Sequence, residues 1–187
     1  FMPTWRPWLE EQSDQVFEES EYCRRYRSIL ENRQLQEILS AGHVKIIFHI
    51  HPKLKEFLKA FQTENSNVEL IEQGTRPLNE LIMECSMLLT DYSSVSWDVY
   101  YLGKPVVFYQ FDYDLYMQAN GSYLDMKKEL FGDRYITEEE VIRGLEEYVQ
   151  NDFREKEKYG SLRQEYFAYN DQNNCKRILE FLRSKGY

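Results

Sequence analysis

The feature that most constrains the fold is a regular alternation of short apolar runs with helical patterns. Apolar runs, several of them rich in β-branched residues, end near residue 4 and occupy residues 44–50, 68–71, 87–90 and 105–109. Alternation of this kind is typical of α/β folds, in which helices connect the strands of a parallel sheet. The crossovers in such sheets are right-handed. We therefore expect a Rossmann-like parallel sheet flanked by helices.

The intervening segments predict helices over residues 20–40, 53–63, 78–84 and 94–102. From Thr137 onward we expect a mostly helical tail, because Thr137 and Glu140 have the spacing of a capping box. We assign residues 1–150 to a Rossmann-like nucleotide-donor-binding domain and residues 151–187 to C-terminal helices packed on it. Since the first residues resemble the end of a strand, we also expect the sequence to be a fragment of a longer chain.

Polar residues follow three of the predicted strands, at the edge where ligands bind in such folds. In the strand order 3-2-1-4-5-6, the ligand site lies at the carboxyl ends of the strands, beside the switch between the first and fourth. Here the switch is flanked by residues 4–6 and 91–94, with residues 51–53 next to them. The topology alone thus predicts that these three polar segments converge.

The segment TDYSS, residues 90–94, passes from a strand directly into a helix. Unpaired backbone N–H groups at a helix start bind anions, and Ser93 and Ser94 add hydroxyl donors without bulk. Alternatively, Asp91, Ser93 and Ser94 cap the helix. The location at the switch point favours diphosphate binding by the two serines, with Asp91 as a structural cap. Asp98, one turn after Ser94, either binds a ribose diol or is a surface acid.

Two further segments supply candidate residues at the same edge. His49 and His51 alternate on one face of a strand, so His51 at its end can contact a phosphate or move a proton, while His49 packs in the sheet. No third metal ligand is evident, and we predict no metal site. Arg6 either pairs with a phosphate or forms a structural salt bridge. Tyr109 and Asp112 either wall a nucleotide-base pocket or belong to ordinary loop packing.

Charge and cysteine content exclude several classes of function. The formal net charge is −9, from 23 basic and 32 acidic residues, which argues against general nucleic-acid binding. The 3 cysteines lie far apart with no CxxC spacing, so we expect neither a zinc site nor a disulfide framework, and a reducing cytoplasmic setting is the default. No apolar run approaches the length of a membrane span.

Taken together, the segments PTWR, HPK, TDYSSVSWD, YLGKPVVFYQFD and FAYNDQNNCKRI resemble the C-terminal half of the CDP-glycerol glycerophosphotransferases, the teichoic acid primases and polymerases of bacterial cell walls. The resemblance covers nearly the whole chain in order. It implies one half of a GT-B fold, in which two Rossmann-like halves face each other across a cleft. It also implies a CDP-glycerol or CDP-polyol donor, no cofactor, and an enzyme peripheral to the cytoplasmic membrane face.

Carried over by position, His51 resembles the histidine of the family's HP motif near the donor diphosphate and is our candidate catalytic residue. Ser93 and Ser94 resemble the diphosphate-binding pair, with Arg6 assigned to the same group, and Asp98 resembles the acid that holds the ribose. The chain departs from the family's usual pattern at three places. These are Cys85-Ser86 in place of an aspartate, Gln172 in place of a glycine, and Gly132-Asp133 in place of Gly-Pro.

The resemblance implies transfer of a polyol phosphate to a hydroxyl acceptor with release of CMP. A lipid-linked or polymeric acceptor would be bound by an N-terminal half outside this sequence, so we expect the chain alone to be inactive. Two other functions stay open. The chain could be half of a GT-B nucleotide-sugar glycosyltransferase or UDP-sugar 2-epimerase, or it could be a non-catalytic nucleotide-binding domain.

Overall fold

The structure, a computed structural model, describes residues 1–187. It contains five β-strands, nine α-helices and two 3-10 helices. The strands are β1 (Ile46–Phe48), β2 (Val68–Leu70), β3 (Leu88–Thr90), β4 (Val106–Tyr109) and β5 (Asp133–Tyr135). The α-helices are α1 (Asp14–Glu19), α2 (Glu21–Glu31), α3 (Arg33–Ala41), α4 (Leu78–Glu84), α5 (Val95–Tyr101), α6 (Tyr113–Asn120), α7 (Glu138–Gln150), α8 (Glu157–Tyr166) and α9 (Asn174–Ser184). The 3-10 helices are Pro7–Leu9 and Pro52–Phe61.

All strand pairs are parallel, and the N-terminal segment joins two groups of strands. β1 pairs with β2, and β4 lies between β3 and β5. The ammonium group of Phe1 donates to the carbonyl of Ile47 at 2.6 Å, and the N–H of His49 donates to the carbonyl of Phe1 at 2.9 Å. On the other side, the N–H of Met2 donates to the carbonyl of Leu89 at 2.9 Å. Counting this segment as the first strand, the predicted order 3-2-1-4-5-6 is confirmed.

The strands β3 and β4 are largely apolar because both of their faces are covered. Side chains along β3 and β4 alternate between two hydrophobic clusters, as the pleat requires. Leu89, Val107 and Tyr109 belong to a cluster of 21 buried residues, which α1, α2, α3 and α7 help to build. The intervening side chains belong to a cluster of 7 residues on the other face: Leu88, Val99, Tyr100, Val106, Phe108, Phe131 and Tyr159.

Three predicted elements differ in detail. The helix expected over residues 20–40 is broken at Asn32, whose side chain accepts the N–H of Leu35 at 3.0 Å and donates to Glu138 at 2.7 Å. Asn32 therefore starts a new helix and fastens it to α7, so the prediction of one continuous helix was wrong. The helix expected over 53–63 is the 3-10 helix Pro52–Phe61, and the apolar run 44–50 pairs as a strand only over Ile46–Phe48.

The C-terminal helices differ from one another in their packing. The capping box of Thr137 and Glu140 at the start of α7 is confirmed. Tyr159 of α8 enters the smaller cluster, whereas α9 buries no residue. The division between residues 1–150 and 151–187 stays a prediction. No helix has the length and apolar character that crossing a membrane requires.

Candidate functional site

The loops that follow the N-terminal segment, β3 and β4 meet at the carboxyl edge of the sheet. The backbone N–H of Thr4 donates to both carboxylate oxygens of Asp91, at 2.8 and 3.1 Å. Arg6 then forms ion pairs with Asp91 and with Asp112. Residues 4–6 and 91–94 therefore meet as predicted, and the Trp5 and His51 ring centroids, 6.2 Å apart, bring the third predicted segment beside them. The guanidinium of Arg6 also fastens the loop of Asp112, a fourth segment.

Arg6 is 0% exposed and all three of its guanidinium nitrogens have partners. Nε and Nη2 donate to the two oxygens of Asp112 at 2.7 and 3.0 Å. Nη1 lies 3.0 Å from Asp91 Oδ2 and donates to the carbonyl of Thr4 at 2.8 Å. Burial works against the charge, but the two carboxylates raise the pKa of Arg6 well above its usual value. The expected contact between Arg6 and a diphosphate is thus corrected: the structure shows the salt-bridge alternative.

Tyrosines complete this buried ionic cluster. Tyr26 Oη donates to Asp91 at 2.6 Å, and Tyr92 Oη donates to Asp112 at 3.1 Å. The rings of Tyr92 and Tyr116 stack with their centroids 3.7 Å apart, and each centroid lies 5.0 Å from the guanidinium carbon. Aromatic faces stabilise a desolvated cation, which offsets part of the cost of burying Arg6. We call Arg6, Asp91 and Asp112 with these tyrosines the ionic cluster.

The structure corrects two sequence-based roles, that of a helix cap for Asp91 and that of a base-pocket wall for Tyr109 and Asp112. Asp91 does not cap α5, because its carboxylate accepts from Thr4, Tyr26 and the N–H of Tyr92; its role is structural. Tyr109 does not wall an open pocket, since it is 0% exposed within the larger hydrophobic cluster. Asp112 likewise turns inward, with its carboxylate 7% exposed and bound by the guanidinium. Sequence could not show that the carboxylates of Asp91 and Asp112 turn toward Arg6, because these residues lie far apart in the chain.

The turn formed by Ser93 and Ser94 lies free beside the ionic cluster. Neither backbone N–H has a hydrogen-bond partner within the chain, and the exposed Ser94 hydroxyl has none either. Ser93 Oγ accepts the N–H of Val95 at 3.3 Å. Two amides and one hydroxyl are therefore available to a ligand. Since α5 has only 7 residues, these local donors matter more here than the helix dipole.

Asp98 is exposed on α5, one turn after Ser94 and on the same face of the helix. Its carboxylate forms no ion pair or hydrogen bond within the chain. A free carboxylate in this place fits either a ribose diol or an ordinary surface acid, so the ribose role stays a prediction.

His51 is half-buried at the end of the strand that contains β1. Its Nδ1 accepts the N–H of Lys53 at 3.3 Å, and its ring stacks on Trp5 with centroids 6.2 Å apart. Burial, followed by the charge of Lys53, lowers the pKa of His51 from its usual value. The ring is therefore neutral near pH 7, and since Nδ1 accepts, the proton lies on Nε2. His51 can thus donate a hydrogen bond from Nε2 at this edge.

His49 is 7% exposed and packs in the sheet as predicted, and burial lowers its pKa as well. No group of three or more His, Cys, Asp and Glu side chains is placed to hold a metal ion.

Sequence reasoning missed Gln110 and Arg134. Gln110 is 0% exposed; its Nε2 donates to the carbonyl of Asp91 at 2.9 Å, and its Oε1 accepts from Arg134 Nε at 2.7 Å. Arg134 belongs to β5, whose sequence DRY has no apolar run and was not predicted as a strand. The sequence feature that could have revealed β5 is the capping box of Thr137 and Glu140 just after it, because a strand commonly precedes such a helix in this architecture.

Comparisons with known proteins agree with the fold and with the resemblance. In fold, the chain is similar to the wall teichoic acid polymerase TagF with a TM-score of 0.68, at 22% sequence identity over 99% of this chain and 42% of that one. The expected fold class, a Rossmann-like parallel sheet flanked by helices that forms one half of a GT-B architecture, is confirmed.

The curated relatives are also teichoic acid proteins. The chain is 30% identical over 186 residues to the minor teichoic acid biosynthesis protein GgaB of Bacillus subtilis, covering 95% of this chain and 20% of that protein. It is 27% identical to the teichoic acid poly(glycerol phosphate) polymerase of the same organism, covering 82% and 19%. The chain thus spans about a fifth of the length of these relatives. The model of the CDP-glycerol:poly(glycerophosphate) glycerophosphotransferase family matches residues 1–184, and the chain belongs to that family.

Proposed function

We propose that this chain binds the donor in an enzyme that transfers a polyol phosphate from CDP-glycerol, or a related CDP-polyol, to a hydroxyl acceptor. CMP is the other product. The observation that carries the proposal is the turn of Ser93 and Ser94, with unpaired amides and a free hydroxyl, at the same edge as a neutral His51. Family membership supplies the class of donor.

In the proposed complex, the amides of Ser93 and Ser94 and the Ser94 hydroxyl bind the donor diphosphate. Asp98 accepts hydrogen bonds from the ribose. His51 donates from Nε2 to a phosphate oxygen and so stabilises charge on the departing CMP. Arg6 does not touch the donor; it positions the loop that carries the two serines.

The reaction is a displacement at phosphorus. An acceptor oxygen attacks the phosphorus that bears the polyol, the bond to the bridging oxygen breaks, and that oxygen leaves with CMP. The acceptor hydroxyl gives up its proton to a base. The contribution of this chain is to position the diphosphate and to stabilise charge as it moves to the leaving group.

The names of similar proteins support the proposed donor and acceptor. One solved TagF structure is of a histidine variant soaked with CDPG, and the relatives are teichoic acid proteins. We accordingly assign a lipid-linked or polymeric cell-surface acceptor. The proposal places the reaction at the inner face of the cell membrane, with the full-length protein bound peripherally.

Calorimetric titration of the purified chain with CDP-glycerol, CMP, UDP and UDP-N-acetylglucosamine tests this assignment. We expect the cytidine nucleotides to bind more tightly than the uridine nucleotides. Tighter binding of the uridine nucleotides would instead favour a GT-B glycosyltransferase or 2-epimerase. Cytidine binding without turnover, even when acceptor and the intact protein are present, would indicate a non-catalytic domain.

A further inference from the structure

Arg134 is held one glutamine side chain away from the loop that carries Ser93 and Ser94. Its Nε donates to Gln110 Oε1 at 2.7 Å, and Gln110 Nε2 donates to the carbonyl of Asp91 at 2.9 Å. Because Gln110 is 0% exposed, it fixes the orientation of the guanidinium. The two terminal nitrogens of Arg134 have no acceptor within the chain, so an oriented guanidinium with free donors lies at the carboxyl edge of the sheet.

A second cation accompanies it. Lys127 Nζ lies 4.4 Å from the ring centroid of Tyr113, and the guanidinium carbon of Arg134 lies 5.1 Å from the same centroid. The nearest acid to Lys127 is Asp114, at 3.8 Å, and these two side chains are 55% and 95% exposed, so their pairing is weak. Two cations on one aromatic ring repel each other. An anion that binds beside this ring would be attracted by both charges.

The other cations near this edge are already paired. Arg6 is bound by two carboxylates, so the ionic core of Arg6, Asp91 and Asp112 has a formal charge of −1. Lys53 pairs with Glu10 at 3.1 Å. Arg134 and Lys127 therefore provide uncompensated positive charge for a phosphate ligand, which the ionic cluster does not.

Space for a larger anion adjoins these two side chains. A cleft of about 480 Å³ beside β5 is lined by nine residues, among them Lys127, Lys128, Arg134 and Lys158. The one carboxylate in its lining is Asp133, which accepts hydrogen bonds from two tyrosines and pairs with Lys156 and Lys158. The cleft can therefore accept several negative charges in a row.

We propose that Arg134 and Lys127 form a phosphate-binding site, a second contact region that rests on the proposed function. The ligand is a phosphate group, and two sources fit this chemistry. It is either the diphosphate of the donor or a phosphodiester of a poly(polyol phosphate) acceptor that continues into the cleft. Arg134 is suited to bind two phosphate oxygens at once, while Lys127 supplies a point charge.

The test is calorimetric titration of the purified chain with CDP-glycerol in one arm and a synthetic glycerol phosphate oligomer in the other. Arg134→Gln should weaken binding in at least one arm by about ten-fold or more, since it removes a charge-assisted contact. Lys127→Gln should give a smaller loss in the same arm. Lys176→Gln is the control for loss of one positive charge, because Lys176 lies on α9, is 71% exposed and does not line the cleft. Arg134→Lys should recover part of the affinity.

The pattern of losses identifies the source of the phosphate and separates the two proposals. A loss with CDP-glycerol alone assigns the site to the donor, and a loss with the oligomer alone assigns it to the acceptor. If the oligomer binds in a way that depends on Arg134 and CDP-glycerol does not bind at all, this site is supported. The same result would contradict the proposed donor-binding function. Unchanged affinities in both arms for Arg134→Gln and Lys127→Gln, or no binding of either compound, would overturn the site. If Arg134→Gln fails to fold, the affinities of Lys127→Gln, a change at an exposed side chain, decide whether the site exists.

Discussion

Asp91 and Asp133 are two buried aspartates with similar partners in different parts of the sheet. Asp91 is 0% exposed and accepts a tyrosine hydroxyl, from Tyr26 at 2.6 Å. Asp133 is 8% exposed and accepts two, from Tyr148 at 2.8 Å and Tyr159 at 2.9 Å. Each carboxylate also pairs with a cation. In both places burial is compatible with charge because the oxygens are hydrogen-bonded.

The two sites differ in their cation. Arg6, which pairs with Asp91, is wholly buried, whereas the Lys156 side chain that pairs with Asp133 at 2.8 Å is 28% exposed. Water can therefore solvate part of the charge at the Lys156–Asp133 pair if one partner is replaced. It cannot reach the buried guanidinium of Arg6. We infer that the ionic cluster holds three loops in a fixed arrangement. The pair of Lys156 and Asp133 instead connects the start of α8 to the edge strand β5.

Replacing the two cations should give the largest contrast. Arg6→Met leaves the carboxylates of Asp91 and Asp112 buried without a counter-charge, and we expect it to lower the free energy of unfolding by about 3–5 kcal/mol. Lys156→Met should cost about 1 kcal/mol, because Asp133 keeps both tyrosine hydroxyls. Urea unfolding of both variants beside the unmodified chain measures the difference. Equal losses would show that the two cations are equivalent and that burial of the guanidinium adds nothing.

The strands β3 and β4 were predictable because hydrophobic clusters cover both of their faces. Apart from Thr90, consecutive residues of β3 and β4 enter different hydrophobic clusters, so they are apolar and the runs stand out in the sequence. The strand β5 was not predicted because Asp133 and Arg134 make polar contacts in place of apolar ones. The position of His51, Ser94 and Asp98 at the carboxyl edge followed from topology alone.

The misassigned residues depend on partners far along the chain. Arg6 and Asp112 are separated by 106 positions, and no local pattern distinguishes a guanidinium that meets a phosphate from one that meets a carboxylate. The break at Asn32 has the same origin, since its amide bonds Glu138, also 106 positions away. Tyr109 follows the alternation of β4 into the larger cluster, which a loop-based interpretation overlooked.

A substitution in the exposed turn should separate binding from stability. Ser94→Ala removes a hydroxyl that has no partner within the chain, so the melting temperature should hardly change. Loss of one hydrogen bond to a charged ligand should weaken CDP-glycerol binding several-fold to ten-fold. Calorimetry and thermal melts test both statements. Ser184→Ala, an exposed serine on α9, is the matched control. Unchanged affinity together with a stability loss of about 1 kcal/mol would mean that the serine only caps the helix.

The smallest expected effect links the ionic cluster to His51. Burial lowers the pKa of His51, Lys53 lowers it further, and Asp91 and then Glu10 act in the opposite direction. Because the folded pKa lies below the unfolded value of about 6.5, the fold favours the neutral ring. The unfolded chain then takes up its proton first as pH falls, so stability is lost as pH falls below the unfolded pKa and toward the folded one. Lys53→Gln removes a repelling charge and frees Glu10, while its backbone N–H still donates to Nδ1.

We therefore expect the pKa of His51 in Lys53→Gln to rise, and Lys55→Gln, the same charge change two residues away, to leave it nearly unchanged. Titration of the imidazole resonances by NMR between about pH 4 and pH 8 measures both, across the range in which histidine titrates. A pKa that does not move in Lys53→Gln would mean that burial alone keeps the ring neutral. A pKa above the unfolded value in the unmodified chain would mean that Asp91 dominates, because its charge would then reach His51 despite its pairing with Arg6. In that case His51 would meet a diphosphate as a cation, and donor binding would weaken as pH rises through that value.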